Sequence, residues 1–457
     1  MHRDNSSNSG SFGHAGQAGQ AGQAGHAGHS GVNLPVLRGH NAALVLDLLR
    51  AAGETGISRL ELAERTGLTP QAVSKITARL RAEGLAAEAG RRASTGGKPR
   101  TVLRLVPGAG HAVGLHLDRD ELTAVLVDLT GTVVAERRAP LAFGAGARAV
   151  VEVAVGEVRG LLGAAARDEG AEGGGGGAAA RGEGAGGGGG AWAVSGVGVA
   201  LPGPLDHAEG VLHRVTGFPE WDGFPLRDAL AERLGLPVTV DKDTNAAALG
   251  LALAGVADSF AYVHLGTGLG AGLVLGGAVH RGARTGAGEF GHQVVQLDGP
   301  RCECGDRGCV EALCLAAVAR GEFEEAARVL GTAAGNLVGL LDIDRVLLGG
   351  RTVFAAGDVF VRGVGAVVGE RVRRGGGDGD GDAVASRSGA VPDPASGPGS
   401  GPLSGPLSGP VSGPVSVPVS LAPGGERAVA EGAAQLVLAP VFGRADVAFP
   451  ARRGGRG

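Results

Sequence analysis

The sequence predicts an α/β protein with a winged helix-turn-helix at its N-terminal end. Three observations predict this class. Helical segments followed by a basic hairpin occupy residues 35–106, strands and helices alternate over residues 107–374, and four cysteines lie between Cys302 and Cys314. A chain of 457 residues is long enough for two to four structural units.

The N-terminal helices are predicted from leucine spacing and from cap residues. Leucines over residues 41–52 indicate a first helix. Ser58 and Glu61 have the spacing of a capping box, which opens a second helix. Thr69 is placed to cap a third helix, with Pro70 in its first position.

A predicted hairpin, Leu85–Glu88 with Thr101–Leu105, completes the winged motif. Residues 36–105 hold twelve Lys and Arg against six Asp and Glu, whereas the whole chain has a net charge of −4. A local positive patch suits contact with DNA phosphates. The alternative interpretation of this segment is a solvated helix bundle with a basic loop. We expect the following residues to contact DNA: Gln71, Ser74, Lys75, Arg91, Arg92, Lys98 and Arg100.

Composition separates the folded body from low-complexity segments. The chain has 89 Gly and 22 Pro, concentrated in a few stretches. We expect a disordered tail at 1–34, a disordered Gly-rich loop at 163–190 and a disordered Gly/Pro/Ser insertion at 375–425, before a helix returns within 426–445. No apolar run is long enough for a membrane span, and no signal-peptide core is visible. Few, clustered cysteines suit a reducing cytoplasm, where we expect the protein to reside.

The cysteine cluster predicts a structural zinc site. His292 precedes Cys302, Cys304 and Cys309, so one imidazole and three thiolates fall within a short segment. This set completes a tetrahedral Zn²⁺ shell and leaves no open position for a catalytic water. Cys314 falls outside the pattern and is expected to be a buried thiol on the next helix.

The same region resembles the signature of the ROK family, which groups bacterial sugar kinases with winged-helix, sugar-responsive repressors. The resemblance rests on Gly-Ala-Gly-Glu-Phe-Gly-His at 286–292 and on the cysteine segment 302–311, and segments 198–204, 241–245 and 266–270 agree with it. It covers roughly residues 41–353 and the final helix. It implies a two-lobed actin-like ATPase (ribonuclease H-like) domain, with lobe 1 at 107–244, lobe 2 at 245–374 and a sugar site in the cleft.

The resemblance also implies roles for individual residues. Asp243 occupies the position of the family's general base, and Glu289, His292 and Glu311 would hold other sugar hydroxyls. Where family members usually have Asn before this Asp, the chain has Lys242. Lys242 could pair with Asp243, favour an acidic ligand or point into solvent.

The ATP phosphate motif departs from the family pattern. Family kinases have Asp-x-Gly in the first strand hairpin, but His116 replaces the Asp and Asp118 replaces the Gly. A carboxylate about 4 Å from a phosphate is repelled by about 4 kcal/mol per unit charge at an effective dielectric of 20. We therefore expect neither ATP nor Mg²⁺ to bind. The remaining glycine-rich turns would be vestigial nucleotide positions or plain turns: Gly266, Thr267, Gly268, Gly270, Gly349 and Gly350.

Together these features predict a sugar-responsive, DNA-binding transcriptional regulator without enzymatic activity, most simply a repressor. We expect a homodimer or higher homo-oligomer on double-stranded, palindromic operator DNA, no membrane partner, and a sugar or sugar phosphate as effector. One alternative is an ATP-dependent, glucokinase-like sugar kinase with a DNA-binding appendage. Another is a DNA-binding scaffold that does not respond to sugar.

Overall fold

The computed structural model describes residues 34–92, 100–172, 194–215, 217–375 and 416–444. The segments predicted to be disordered lie largely outside these ranges, as does Lys98. Among the described helices, none has the length and apolar character needed to cross a membrane.

The N-terminal unit contains three helices and a three-stranded sheet in the order β1-β3-β2. Its elements are α1 Leu34–Ala52, β1 Ile57–Ser58, α2 Arg59–Thr66, α3 Pro70–Ala82, β2 Ala86–Arg92 and β3 Arg100–Leu105. The predicted caps are confirmed. Ser58 and Glu61 form a reciprocal capping box, and the Thr69 hydroxyl accepts from the Ala72 amide.

A partly buried hydrogen bond connects the two helices of the helix-turn-helix. Arg59 on α2 donates through Nε to the Thr77 hydroxyl on α3 at 3.2 Å, and Thr77 donates to the Val73 carbonyl at 2.8 Å. Thr77 is fully buried. Because this hydroxyl both accepts and donates, no buried polar atom of Thr77 is left unmatched, and the bond contributes to the orientation of α3.

The first lobe is built on a five-stranded sheet in the order β10-β7-β4-β5-β6. β10, β7 and β4 run parallel, whereas β5 and β6 add antiparallel hairpins. Its apolar core includes the stacked pair Phe143 and Trp221. The elements of this part are β4 His111–Leu117, β5 Glu121–Asp128, β6 Val133–Pro140, α4 Ala147–Glu172, β7 Val194–Leu201, β8 Leu205–Asp206, β9 Val211–Leu212, α5 Leu226–Leu234 and β10 Val238–Lys242.

The second lobe has a sheet in the order β13-β12-β11-β14-β15, covered by helices. Its elements are α6 Asp243–Leu253, β11 Phe260–Leu265, β12 Leu269–Leu275, β13 Ala278–Val279, α7 Val310–Ala319, α8 Phe323–Leu341, β14 Arg345–Gly349, α9 Arg351–Ala355, α10 Gly357–Gly375, β15 Val419–Leu421 and α11 Ala428–Val441.

Helix α11 lies directly on backbone from both lobes. A β-carbon at Gly114 in β4 would be 1.9 Å from the Ala430 carbonyl oxygen, and one at Gly198 in β7 would be 1.8 Å from that of Ala433. On the helix itself, a β-carbon at Gly432 would be 2.0 Å from the Ala246 carbonyl oxygen of α6. These three glycines therefore permit a close approach that no larger residue allows.

The C-terminal end of α11 joins the core of the DNA-binding unit. Leu438 and Phe442 share an apolar cluster with Val45 and Leu49 of α1 and with residues of lobe 1. The Arg50 guanidinium lies 4.8 Å from the centre of the Phe442 ring. The helix thus contacts lobe 1, α6 of lobe 2 and the DNA-binding unit.

The structure differs from the sequence predictions at several element ends. Helix α1 starts at Leu34 rather than near residue 41, and α4 continues to Glu172, so the first ten residues of the predicted loop at 163–190 are helical. The predicted insertion at 375–425 ends earlier than expected, because Val419–Leu421 pairs with β14 as an edge strand. A proline directly before such a strand is tolerated, since its missing N–H leaves the ladder intact.

Candidate DNA interface, ligand cleft and metal cluster

The candidate DNA interface begins on the outer face of α3. Gln71, Ser74 and Lys75 are all exposed, whereas Val73 and Leu80 on the opposite face are buried in the unit's core. The helix therefore presents its polar N-terminal residues to solvent, which is the geometry by which recognition helices meet base edges.

The hairpin beside α3 carries the predicted basic wing. Arg91 and Arg92 end β2 and Arg100 begins β3, with Arg92 opposite Arg100 in the register. Arg91 and Arg100 are exposed. Three cationic residues thus share one end of the hairpin, where they can meet successive phosphates.

The predicted sugar residues line one cleft between the lobes, with an empty volume of about 650 Å³. Lys242 ends β10, Asp243 begins α6, and Glu311 lies in the first turn of α7. The cleft is lined by all five predicted residues, Lys242, Asp243, Glu289, His292 and Glu311. Their meeting depends on the fold, since β10, a loop and α7 are far apart in the chain.

Lys242 is paired with Glu289, not with Asp243 or with solvent. Its Nζ lies 3.0 Å from Glu289 Oε1 and 2.5 Å from the Ala287 carbonyl oxygen, and its side chain is only 4% exposed. Burial of an ammonium group is costly unless it is paired and hydrogen-bonded. Of the alternatives for Lys242, exposure to solvent is excluded by its burial, and its hydrogen bonds go to Ala287 and Glu289, which offset the desolvation cost.

Asp243 has the electrostatics of a partly desolvated carboxyl group. Burial raises its pKa above the ordinary value, although His264, the Thr244 amide and Lys242 act in the opposite direction. The Thr244 amide donates to Asp243 Oδ1 at 2.6 Å. A raised pKa suits a proton acceptor, and it also suits a hydrogen-bond partner for a ligand hydroxyl.

A buried carboxylate behind the cleft was not anticipated from the sequence. Asp241 is 1% exposed and accepts from the Lys242 amide, from Asn245 Nδ2 and from Arg281 Nε, the last at 2.7 Å. These contacts hold the turn from β10 into α6, so Asp241 positions Lys242 and Asp243. The only signal for it was its place in the segment 241–245.

Asp118 occupies the predicted phosphate position. Thr267 of the glycine-rich turn donates to Asp118 Oδ1 at 2.8 Å, and Arg351 Nη2 lies 3.6 Å from Oδ2. Burial acts to raise the pKa of Asp118, but His116, the Arg119 amide and Thr267 outweigh it and lower the pKa. An anionic side chain therefore bridges the two lobes where a phosphate would need to approach.

His116 is buried beside this bridge. It is 8% exposed, and burial lowers its pKa to about 4, with Asp118 acting in the opposite direction. Its ring meets that of His264 edge-on, at 6.2 Å between centroids. A neutral imidazole here offers no carboxylate for Mg²⁺, which prefers oxygen ligands.

The late Gly-Gly turn is explained by packing. A β-carbon at Gly349 would lie 2.5 Å from the Tyr262 hydroxyl, and one at Gly350 would lie 2.3 Å from the Leu265 carbonyl oxygen. Gly350 also has a φ of +93°. These contacts require glycine whether or not a nucleotide binds. Gly268 and Gly270 instead line the ligand cleft.

The four predicted metal ligands come together in space. Their ligand atoms all lie within 4.8 Å of one another, with Cys304 Sγ 3.7 Å from Cys309 Sγ and Cys302 Sγ 3.8 Å from His292 Nδ1. Two sulfurs on a tetrahedral zinc with 2.3 Å bonds would be about 3.8 Å apart. The cluster is therefore compact enough to hold one tetrahedral metal ion.

The surroundings of the cluster also fit a cation. Burial and the neighbouring thiols raise the pKa of Cys309 to about 12, so the protein alone does not favour thiolates there. A bound cation reverses this balance, because it stabilises the thiolate directly. Gly308, with a φ of +67°, lets the chain turn back under the Gln296 carbonyl. Cys314 is a buried thiol on α7, as expected.

A winged helix-turn-helix joined to a two-lobed domain with a cleft between the lobes defines the class of the protein. The ROK family model matches residues 190–321, and a winged helix-turn-helix DNA-binding model matches residues 45–86. The chain therefore carries a ROK family domain behind a winged helix-turn-helix, and the predicted fold class is confirmed.

The chain is similar both to transcriptional regulators and to a sugar kinase. The chain is 27% identical over 258 residues to the xylose repressor of Bacillus subtilis (strain 168), covering 56% of this chain and 61% of that protein. It is 30% identical over 286 residues to the DNA-binding transcriptional dual regulator NagC of Escherichia coli (strain K12), covering 62% and 64%. Over 132 residues it is 41% identical to the glucokinase of Thermotoga maritima, covering 28% and 41%.

One solved structure matches most of the fold. It is a ROK family transcriptional regulator described as a homolog of the E. coli MLC protein, with a TM-score of 0.63 and 20% identity. The match covers 90% of this chain and 98% of that one. It shows that the DNA-binding unit and the two lobes occur together in one fold.

Proposed function

We propose that the protein is a DNA-binding transcriptional repressor whose operator affinity is controlled by a sugar-class ligand in the cleft. One observation carries this proposal. The DNA-binding unit packs through α11 onto β4 and β7, the strands that lead into the cleft, where Asp118 is bonded to Thr267 of the opposite lobe. The similarity to repressors supports repression of transcription rather than activation, and it supports control by a sugar.

The proposed regulation is thermodynamic linkage between two sites. The cleft lies between the lobes, so a ligand held by Lys242 of lobe 1 on one side and Glu311 of lobe 2 on the other favours one lobe arrangement. Helix α11 touches both lobes and α1, so that arrangement changes the placement of α3. The ligand changes operator affinity only to the extent that it binds one arrangement of the lobes more tightly than the other.

The remaining roles follow from the interface and the metal cluster. A homodimer in the cytoplasm would place two α3 helices on the half-sites of a palindromic operator. Zinc held by His292, Cys302, Cys304 and Cys309 would be structural, since the four side chains complete its shell. The His292 ring faces Cys302 of the cluster through Nδ1 and also lines the cleft. Bound zinc would therefore fix the wall that carries Glu289.

The test begins with selection of duplexes from a random DNA library by the full chain. Titration of the selected duplex, with and without a panel of sugars and sugar phosphates, then measures operator affinity. We expect a palindromic duplex and at least a tenfold weaker affinity with one ligand class. The proposal fails if no duplex is bound above background, or if no ligand in the panel changes the affinity.

The second candidate function is a sugar kinase, which the raised pKa of Asp243 and the glucokinase match favour. A coupled ATP assay over the same sugars tests it. We expect no turnover in the wild type, because the Asp118 carboxylate stands in place of the family's phosphate-loop glycine and would repel a phosphate. Turnover that is lost in Asp243→Asn would establish the kinase instead.

A further inference from the structure

The cleft contains a cation without a charged partner. Arg119 follows Asp118 on the loop after β4 and lines the cleft. It forms no ion pair with any other residue in the described part of the chain. Its guanidinium lies 5.5 Å from the centre of the Phe218 ring, and Phe218 packs edge-on against Phe143. Aromatic contact thus holds the planar cation while its N–H donors remain available.

Lys242 is the second cation of the cleft, and its place is built into the backbone. A β-carbon at Gly203 would lie 2.7 Å from Lys242 Cδ, so only glycine leaves room for the lysine stem. Ala287 and Glu289 take two of the three ammonium donors. One donor remains for a ligand oxygen.

Each carboxylate of the cleft already accepts a hydrogen bond from the protein through one oxygen, and its remaining acceptor sites can hold ligand hydroxyls. Glu289 accepts from Lys242, Glu311 accepts from the Leu269 amide at 2.8 Å, and Asp118 accepts from Thr267. Asp243 accepts from the Thr244 amide through Oδ1 and keeps Oδ2 for a ligand. Arg119 and the third donor of Lys242 are therefore charged donors without a protein acceptor among the described residues of the cleft, and charged donors favour a ligand with strong acceptors.

Asp118, the neighbour of Arg119, limits the negative charge that a group of the bound ligand can carry. A phosphate carries up to two negative charges and meets about twice the repulsion from this carboxylate that a single charge meets. A carboxylate has one charge, and its two oxygens match the planar guanidinium fork. A monoanionic group is thus the better match.

We propose that the ligand of this cleft is a sugar acid, a monosaccharide whose carboxylate pairs with Arg119 while Lys242 donates to another of its oxygens. This assignment rests on the proposed function and names the chemical class of its effector. Arg119 and Lys242 then determine specificity, and Asp243 and Glu311 hold the hydroxyls common to all sugars.

The test compares matched ligands by calorimetry on the full chain. Glucose, glucuronate and glucose 6-phosphate form one series, and the galactose equivalents form a second. We expect the uronate of at least one series to bind tenfold or more tightly than its parent hexose and than the sugar phosphate. Arg119→Gln should reduce this preference at least fivefold.

Lys242→Gln should weaken both the uronate and the hexose, and comparison with Arg119→Gln separates charge recognition from loss of the Glu289 partner. Arg148→Gln, an exposed change on α4, is the control and should bind as the wild type does. Equal affinity for hexose and uronate, tighter binding of the phosphate, or binding of none of the six overturns the proposal.

Operator affinity, measured in parallel, separates this inference from the proposed function. If a uronate binds but DNA affinity is unchanged, the ligand class stands and the regulatory function fails. If a neutral hexose binds and releases DNA, the regulatory function stands and the sugar-acid assignment fails.

Discussion

Arg444 Nη2 donates to Asp47 Oδ2 at 2.6 Å, so the segment after α11 is tied to the first helix of the DNA-binding unit. Asp47 is 7% exposed and also accepts from Arg50 at 3.2 Å. Arg50 in turn lies over Phe442. This junction is the polar contact by which a change in the ligand cleft can reach α1.

The first prediction concerns this junction. Arg444→Gln should reduce the ligand-induced change in operator affinity at least fivefold, because the polar part of the contact between α1 and the segment after α11 is lost while the apolar part remains. Ligand affinity, measured without DNA, should stay within twofold. We expect unfolding to become easier by about 1–3 kcal/mol, since a buried carboxylate loses a partner.

Arg427→Gln provides the matched control at the other end of α11, where the arginine pairs with Glu136 and Glu431. It should leave the coupling between ligand and DNA intact. Equal loss of coupling in both variants would show that general stability of α11, not the junction, carries the effect.

The second prediction concerns the basic wing. Arg91→Ala combined with Arg100→Ala should weaken binding of all duplexes and reduce the slope of log affinity against log salt by about two units. Each phosphate contact contributes about 0.9 to that slope. Fluorescence anisotropy between about 50 and 200 mM salt measures it.

Arg148→Ala with Arg214→Ala removes two exposed cations from lobe 1 and serves as the charge-matched control. It should leave the slope unchanged. An unchanged slope in the wing variant would remove the wing from the DNA interface.

The third prediction concerns the metal cluster. Elemental analysis of the purified chain should give about one zinc per chain, because four side chains complete a tetrahedral shell. Cys309→Ser should lose the metal. It should also weaken ligand binding, since His292, a predicted metal ligand, lies beside Glu289 in the wall of the cleft. Cys314→Ser changes a nearby thiol outside the cluster and should retain the zinc.

The fourth prediction concerns stability against pH. The pKa of His116 is lowered from 6.5 to about 4, so the unfolded chain binds this proton more readily than the folded chain does between those values. Stability therefore falls as the pH falls through this window. The contribution of His116 between pH 7 and pH 5 is a loss of about 2 kcal/mol.

Urea unfolding at pH 5, 6 and 7 measures this dependence. His116→Gln should flatten it, whereas His213→Gln, at an exposed position, should not. An unaltered pH dependence in His116→Gln would mean that His116 does not titrate as a buried neutral group.

Local signals explain why the DNA-binding unit could be predicted from sequence. The Ser58–Glu61 box, the Thr69 cap and the leucine spacing act over three or four residues. The residues that start each helix therefore lie within one turn of its first residue. The metal cluster was equally accessible, because its four ligands fall within residues 292–309.

Helix α10, Gly357–Gly375, was not predicted, because its glycines weaken the local helical signal. Its packing against α8 explains the glycines. A β-carbon at Gly363 would lie 2.7 Å from the Ala327 side chain, and one at Gly331 of α8 would lie 2.9 Å from Val367. Tertiary contact thus overrides propensity here.

The sequence by itself determined the class of the protein: a winged helix-turn-helix, a ROK-like body, a Cys₃His cluster and an altered phosphate motif. Only the tertiary structure decided that Lys242 pairs with Glu289, that Asp118 bridges to Thr267, and that α11 joins the cleft to α1. The physical reason is distance along the chain. Caps and metal spacing act between near neighbours, whereas these pairs are brought together only by the packing of two lobes around one helix.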